Sequence, residues 1–231
     1  MTKFGLKRIP APKSWDIKKK IIRFIIRPFP GGASLKEGLA LGTIMRDYLH
    51  FVNTRREAKY VVTNKEVLIN NQKKNNLNHI AGLMDIVSFP ELDKNFRILL
   101  DKKGKLRVNE IGKEESDFCP LKVKNITLLK KGKIQLNLYN GRNLLVKDQK
   151  IKPGDTILVS NKDNKIKSHF KLEKGAFVYL TGGKHVGEFG NIGKIEGRDI
   201  YFKTKDNQEL ETKKKYAYVI GKDKSSIKLF E

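Results

Sequence analysis

From residue 82 onward the chain stops reading as helix. Apolar residues no longer recur at helical spacing; they alternate along short runs, each closed by a turn signal. The runs are Leu83 to Phe89, Phe96 to Leu100, Leu106 to Val108, Leu121 to Leu129, Ile134 to Leu138, Thr156 to Val159 and Ile166 to Phe170. Between them stand Asp101-Lys102-Lys103-Gly104, Asn140-Gly141, Lys152-Pro153-Gly154-Asp155 and Asn161-Lys162-Asp163-Asn164. Turns of these types reverse a strand within a few residues. Many short strands joined this way predict small β-barrels and exclude a parallel α/β sheet, which needs a crossover helix after each strand.

The preceding segment predicts helices. Ser34-Leu35-Lys36-Glu37 has the spacing of a capping box, and Leu35, Leu39, Ile44, Met45, Tyr48, Leu49 and Val52 follow at helical spacing. A second box, Thr54-Arg55-Arg56-Glu57, opens a helix that buries Ala58, Val61 and Val62 and ends near Asn64-Lys65. The run Val67-Leu68-Ile69 then enters a turn at Asn70-Asn71. Before residue 34, Arg8-Ile9-Pro10-Ala11-Pro12 and Arg27-Pro28-Phe29-Pro30-Gly31-Gly32 remove backbone donors and favour extended geometry. The expected fold class is α+β: a small helical domain followed by two small β-barrel-like domains.

Charge narrows the partner. The chain of 231 residues carries a formal net charge of +24, split as +8 over 1–38, +5 over 39–110, +8 over 111–172 and +3 over 173–231. An excess of this size opposes compaction and marks a polyanion partner touched by several domains. Roughly 20 consecutive apolar residues are needed for a membrane span, and the most apolar early run, Ile21 to Ile26, is short and broken by Arg23. A single cysteine, Cys119, excludes a disulfide framework and a thiolate zinc site, leaving the cytosol as the default compartment.

Two segments point to RNA. On the second helix Arg55, Arg56 and Lys59 share one stripe, and Lys73 and Lys74 lie just beyond the Asn70-Asn71 turn. A rigid cationic helix beside a basic hairpin suits two runs of phosphates. Leu49 to Asn70 resembles the small RNA-binding domain first named after bacterial small-subunit ribosomal protein four, through its Thr-Arg-x-Glu-Ala helix start and Val-Leu-Ile-Asn turn entry. The resemblance implies that Arg55, Arg56 and Lys59 face RNA, with Lys73 and Lys74 on the hairpin. It departs at Asn71, where glycine is usual; asparagine tolerates the left-handed conformation better than most residues.

The second segment runs from Gly175 to Ile192 as strand, glycine-rich turn and return strand, and resembles the KOW motif of ribosomal proteins and elongation factors. Gly182, Gly183 and Gly187 let the backbone approach phosphates closely, and Lys184 adds charge. Gly182 and Gly187 also have P-loop spacing, but Glu188-Phe189 stand where lysine and a hydroxyl are required.

Leu6-Lys-Arg-Ile-Pro-Ala-Pro-Lys-Ser-Trp15, Gly82-Leu-Met-Asp-Ile-Val-Ser88, Asn95 to Gly104, Thr181-Gly-Gly183 and Tyr218-Val-Ile-Gly221 occur in one order. That order is similar to the e-type ribosomal protein four family (S4e) of archaea and eukaryotes. The resemblance implies an extended basic arm over 1–33, the S4-type domain with a trailing hairpin over 34–110, a central β domain over 111–172 and an SH3-like KOW domain over 173–231. It implies small-subunit ribosomal RNA and neighbouring ribosomal proteins as partners, with no membrane and no small-molecule substrate. In the arm, Lys7, Arg8, Lys13, Lys18, Lys19 and Lys20 are expected on RNA, and Trp15 wedged into RNA or packed on a neighbour. The absence of a longer basic tail after Gly221 suggests the shorter archaeal type, a reduced eukaryotic form being the alternative.

An RNA-modifying enzyme and a transcription elongation factor share these modules. The enzyme needs a constellation that is not visible: His50, His79, His169 and His185 are scattered, Cys119 has no motif, and Asp85 reads as a strand residue. The elongation factor leaves the first 110 residues unexplained. No catalytic residue, metal or cofactor is expected. Affinity for structured RNA should fall steeply as salt is raised, because each neutralised phosphate releases counterion. Dissociation constants measured from low to moderate salt test this; a flat response overturns it.

Overall fold

A computed structural model describes residues 5–146, 150–204, 208–222 and 224–229. It is mostly β-sheet with few helices. The chain divides into two units, one built from the residues up to Leu99 with Lys105–Asp117, the other from Leu100–Gly104 with Phe118–Glu231.

In the first unit a ribbon of β1 (Leu6–Lys7) and β2 (Phe24–Ile25) is followed by β3 (Gly38–Ala40) and the short helix α1 (Leu41–Thr43). α1 widens into a π-helical turn over Ile44–Tyr48, and α2 (Arg55–Asn64) comes next. The unit continues with β4 (Leu68–Ile69), β5 (Gln72–Lys73), β6 (Ile80–Gly82), β7 (Ile86–Phe89), β8 (Lys94–Leu100), β9 (Leu106–Ile111) and the one-turn α3 (Lys113–Ser116). β3 pairs with β6, and the order β5-β4-β7-β8-β9 makes a five-stranded sheet. Leu39, Leu41, Ile44, Met45, Ala58, Val62 and Ile98 fill the core.

Two sequence expectations are corrected here. The first helix begins at Leu41 and not at Ser34. Ser34 and Glu37 close a turn, with Glu37 N donating to Ser34 O at 3.0 Å. Gly38 to Ala40 then pair with Ile80 to Gly82, which gives these buried amides partners a helix would otherwise supply. The single strand expected over Leu83 to Phe89 is broken at Met84, which adopts φ 67°. The Asp85 carboxylate causes the break by accepting from Gly82 N and from the Asn70 amide, both at 2.7 Å.

In the second unit the strands are β10 (Phe118–Leu128), β11 (Ile134–Leu138), β12 (Asn143–Val146), β13 (Thr156–Ser160) and β14 (Ile166–Phe170). After them come β15 (Phe177–Leu180), β16 (Phe189–Glu196), β17 (Asp199–Thr204), β18 (Glu209–Lys213) and β19 (Ala217–Gly221). They form two five-stranded antiparallel sheets, ordered β12-β11-β10-β13-β14 and β18-β17-β16-β15-β19. Clean alternation in β11 puts Ile134, Leu136 and Leu138 inside, as its sequence pattern requires. Gly141 takes φ 79° in the β11–β12 turn. Each sheet has its own apolar core, one around Leu121, Val123 and Ile157, the other around Val178, Ile200 and Phe202.

One polar node ties β10 to β19. The buried Tyr218 hydroxyl donates to Pro120 O at 2.8 Å and accepts from Lys122 N at 3.0 Å. The Lys122 ammonium donates to Lys215 O at 2.9 Å and Ala217 O at 2.5 Å. Carbonyl dipoles do not replace lost water fully, so burial, with a smaller contribution from Lys214, pushes this lysine down to about 8. The sign follows. Below pH 8 the folded and unfolded chains both carry the charge, and the fold bears its desolvation. Between pH 8 and about 10.5 the folded state releases its proton first, so stability rises with pH. Relative to Lys122→Met, the second unit of the native chain should gain about 3 kcal/mol over that window. Denaturant melts of both proteins at pH 7.5 and 10.5 check it; parallel pH profiles would refute it.

Candidate nucleic-acid interface

The cationic stripe begins with a well-made helix start. Thr54 Oγ1 accepts from Glu57 N at 3.2 Å, while the Glu57 carboxylate accepts from Asn53 N at 2.9 Å and Thr54 N at 3.4 Å. The Asn53 amide first, then the Thr54 hydroxyl, hold the Glu57 carboxyl below its ordinary range. The cap matters because Arg55 and Arg56 sit in the first turn, where cations oppose the helix dipole. α2 buries Ala58 and Val62, and leaves Arg55, Arg56 and Lys59 exposed. Tyr60 stands beside them, 64% exposed. These positions cost helix stability or hydrophobic free energy in isolation, which points to an external partner.

The hairpin after α2 is set by its two asparagines. Asn70 and Asn71 take φ 49° and 61°, the pair of left-handed conformations of a tight two-residue turn. Asn70 is held there by its side chain, which donates to Asp85 and accepts from Ile86 N at 2.9 Å. Asn71, where glycine is usual, takes the left-handed conformation that asparagine tolerates better than most residues. Beyond the turn Lys73 is exposed, and Lys74 is half-buried with its ammonium 3.1 Å from Gln72 Oε1. Asp85 has both oxygens engaged in fixing this turn and the β6 end.

The basic N-terminal segment divides in two. Lys7, Lys13, Lys18, Lys19 and Lys20 are exposed. Arg8 and Trp15 are turned inward, each 2% exposed, which corrects the expected place of Arg8 on RNA and the RNA-wedged alternative for Trp15. The Arg8 guanidinium pairs with Asp47 and donates to Lys18 O at 2.9 Å. The Trp15 indole donates to Leu35 O at 3.1 Å, and its backbone bridges to Leu106. Asp16, beside it, pairs with Lys105 and Arg107 at 2.7 and 2.6 Å. The segment doubles back where an extended run was expected, with Ala11 N donating to Arg8 O and Trp15 N to Pro12 O, both at 3.2 Å. Leu6–Lys7 pairs antiparallel with Phe24–Ile25, and the segment is fastened into the first unit's core.

The glycine-rich turn joins β15 to β16. Gly183 and Lys184 are exposed, and Gly183 takes φ 88°. Gly182 packs on the Tyr216 ring so closely that a Cβ would lie 2.7 Å from it. Gly187 is buried at φ 79°, and a Cβ there would meet the Asp101 carbonyl at 2.5 Å. Its close approach is thus to the protein's own backbone, correcting the expectation that it faces phosphate. The Lys215 ammonium lies 4.7 Å from the Tyr216 ring centre. Lys213, Lys214 and Lys215 are all exposed next to the turn through Tyr216, an extension the sequence reading missed. Their signal was the Lys-Lys-Lys-Tyr run itself.

A small ribosomal subunit protein eS4 from Methanocaldococcus jannaschii is 38% identical over 97% of this chain and 96% of its own length. The chain belongs to the ribosomal S4e family. Descriptions of the ribosomal family S4e and of the RS4NT (NUC023) domain match residues 92–166 and 2–32. The eS4 protein of Methanococcus maripaludis strain C6 is 37% identical with the same coverage. The crystal structure of the 30S ribosomal protein S4e from Thermoplasma acidophilum matches with a TM-score of 0.71 at 29% identity, covering 82% of this chain and 96% of that one. For this S4e chain, among the described residues, no three His, Cys, Asp or Glu side chains are grouped to hold a metal. No helix there is long and apolar enough to cross a membrane.

Replacing Arg55, Arg56 and Lys59 together by alanine should weaken RNA binding while α2 persists, since alanine is the best helix former and the cap is untouched. The slope of log affinity against log salt should become shallower by roughly two to three. Circular dichroism and titrations at several salt concentrations check both. Unchanged affinity with a native spectrum would remove α2 from the interface.

Proposed function

We propose that this chain is a structural constituent of the small ribosomal subunit, holding ribosomal RNA on cationic helix, hairpin and glycine-turn surfaces. The observation that carries the reading is the exposed Arg55, Arg56 and Lys59 set on a capped helix beside a rigid basic hairpin. The relatives named small ribosomal subunit protein eS4 span nearly the same length. The chain is no enzyme, and its place is the ribosome in the cytoplasm. Asp85, the first candidate for a catalytic acid, is occupied in fixing a turn.

The finer assignments follow. Residues 34–110 act as an S4-type RNA-binding domain, 111–172 as a central β domain, and 173–231 as an SH3-like KOW barrel around the β15–β19 sheet. The N-terminal segment over 1–33 offers Lys7, Lys13, Lys18, Lys19 and Lys20 to phosphates from an anchored ribbon. Gly182 and Gly183 shape the turn that presents Lys184. Neighbouring small-subunit proteins complete the surroundings.

Sedimentation tests the whole. A tagged chain expressed in cells and spun through a high-salt sucrose gradient should travel with small-subunit ribosomal RNA. Incubation with that RNA, nucleoside triphosphates and S-adenosylmethionine should leave the RNA mass unchanged. A mass change abolished by Asp85→Asn would replace the structural reading by an RNA-modifying one.

A further inference from the structure

The outer face of the β10–β11–β12 ribbon has a composition unlike the rest of the surface. Register decides which residues share it. Asn125 lies opposite Asn137 and Thr127 opposite Gln135 across β10 and β11; Asn137 lies opposite Asn143 and Gln135 opposite Leu145 across β11 and β12. Directly opposed residues point to the same side of a sheet. The other side holds Ile126, Leu136 and Leu144, which pack on the domain's apolar core. The six outward positions are therefore four amides, one threonine and one leucine. One residue in three is charged in this chain, 32%, yet none of these six is.

The amides are pre-arranged. Gln135 Nε2 donates to Asn137 Oδ1 at 2.7 Å, and Asn137 Nδ2 donates to Thr127 Oγ1 at 2.9 Å. Asn125, Thr127 and Asn143 are exposed, and Gln135 and Asn137 half-exposed. Charge is placed around the face: Lys124 at the β10 bulge, Lys130 and Lys133 at the ribbon's tip, all exposed.

We infer that this face is a second RNA-binding surface, seated in the shallow minor groove of an RNA duplex with its tip lysines on the flanking phosphates. The minor groove of A-form RNA is wide and flat and displays 2′-hydroxyls, each both donor and acceptor. Amides, carrying a donor and an acceptor on one short side chain, match that groove without steric search. A flat sheet face fits it, whereas the deep, narrow major groove excludes one. A protein partner would need an apolar centre. At the centre of the face, among the six positions, Leu145 alone is apolar, and the exposed Leu128 and Leu129 lie apart at the ribbon's tip beside Lys130 and Lys133.

This inference rests on the ribosomal reading, and the test separates the two. The full-length chain is bound to small-subunit ribosomal RNA, and 2′-hydroxyl reactivity is mapped with an acylating reagent while affinity is titrated. The native chain should protect a run of 2′-hydroxyls along one duplex. Asn125→Ala, Gln135→Ala and Asn137→Ala together should lose that run alone, with affinity lower by about tenfold and an unchanged salt slope. Lys130→Ala with Lys133→Ala should instead make the salt slope shallower by roughly one to two. Should the alanine variant fail to fold, Asn125→Asp with Gln135→Glu keeps side-chain shape and should also lose the run. A protected run that survives in a folded variant overturns the proposal, as does loss of a neighbouring small-subunit protein with the RNA footprint intact. No protection by the native chain overturns the ribosomal reading as well.

Discussion

Self-repulsion of the cationic excess is the constraint every part of this structure answers to. At +24 the chain cannot bury a cation without giving it an acceptor, and three buried cations show how this is done. Arg8 is tied to Asp47, and Arg97 to the Glu115 carboxylate and backbone carbonyl. Lys122, in the second unit, is held by two backbone carbonyls from the strand entry at Lys215 and Ala217. These carboxylates and carbonyls are spent on fixing the frame. Arg55, Arg56 and Lys59 of α2 and Lys73 of the hairpin stand exposed instead, as do Lys7, Lys13, Lys18, Lys19 and Lys20 in the N-terminal segment.

The surfaces offered to that partner are rigid because each is set by local polar chemistry. The Thr54–Glu57 box holds a helix start that Arg55 and Arg56 would otherwise loosen. Asn70, clamped by Asp85 and Ile86 N, fixes a turn that carries Lys73 and Lys74. Tyr216 underlies the Gly182–Gly183 backbone and leaves Lys184 outside. Positioned cations lose little freedom on meeting RNA, so more of their Coulomb attraction appears as affinity. On the β10–β11–β12 ribbon polar side chains are likewise joined to one another, Gln135 to Asn137 and Asn137 to Thr127.

Much of this was legible along the chain. The second capping box, the Asn70-Asn71 turn, the alternation of β11 and the glycine at 141 were read from local rules, and they hold because hairpins and capped helices are decided by neighbours a few residues away. The same rules misread Ser34, whose box spacing is real but whose following residues, Gly38 to Ala40, are claimed by a strand some forty residues later. They misread Met84 for a related reason, since the Asp85 carboxylate that breaks the strand also accepts from Asn70, which lies outside any local window.

The sequence by itself determined the charge excess, the short-strand architecture and the family, because each is a property of composition, period or the order of motifs. Only the tertiary structure decided which cations and rings stay exposed and which turn inward. Arg8 and Trp15 have the same sequence surroundings as Lys7 and Lys13, yet Asp47 and the Leu35 carbonyl draw them inside. Gly187 looks like its neighbours in the glycine turn, yet the Asp101 carbonyl occupies the space beside it. A side chain's direction depends on what the distant chain places opposite it, and no residue carries that information in its own neighbourhood.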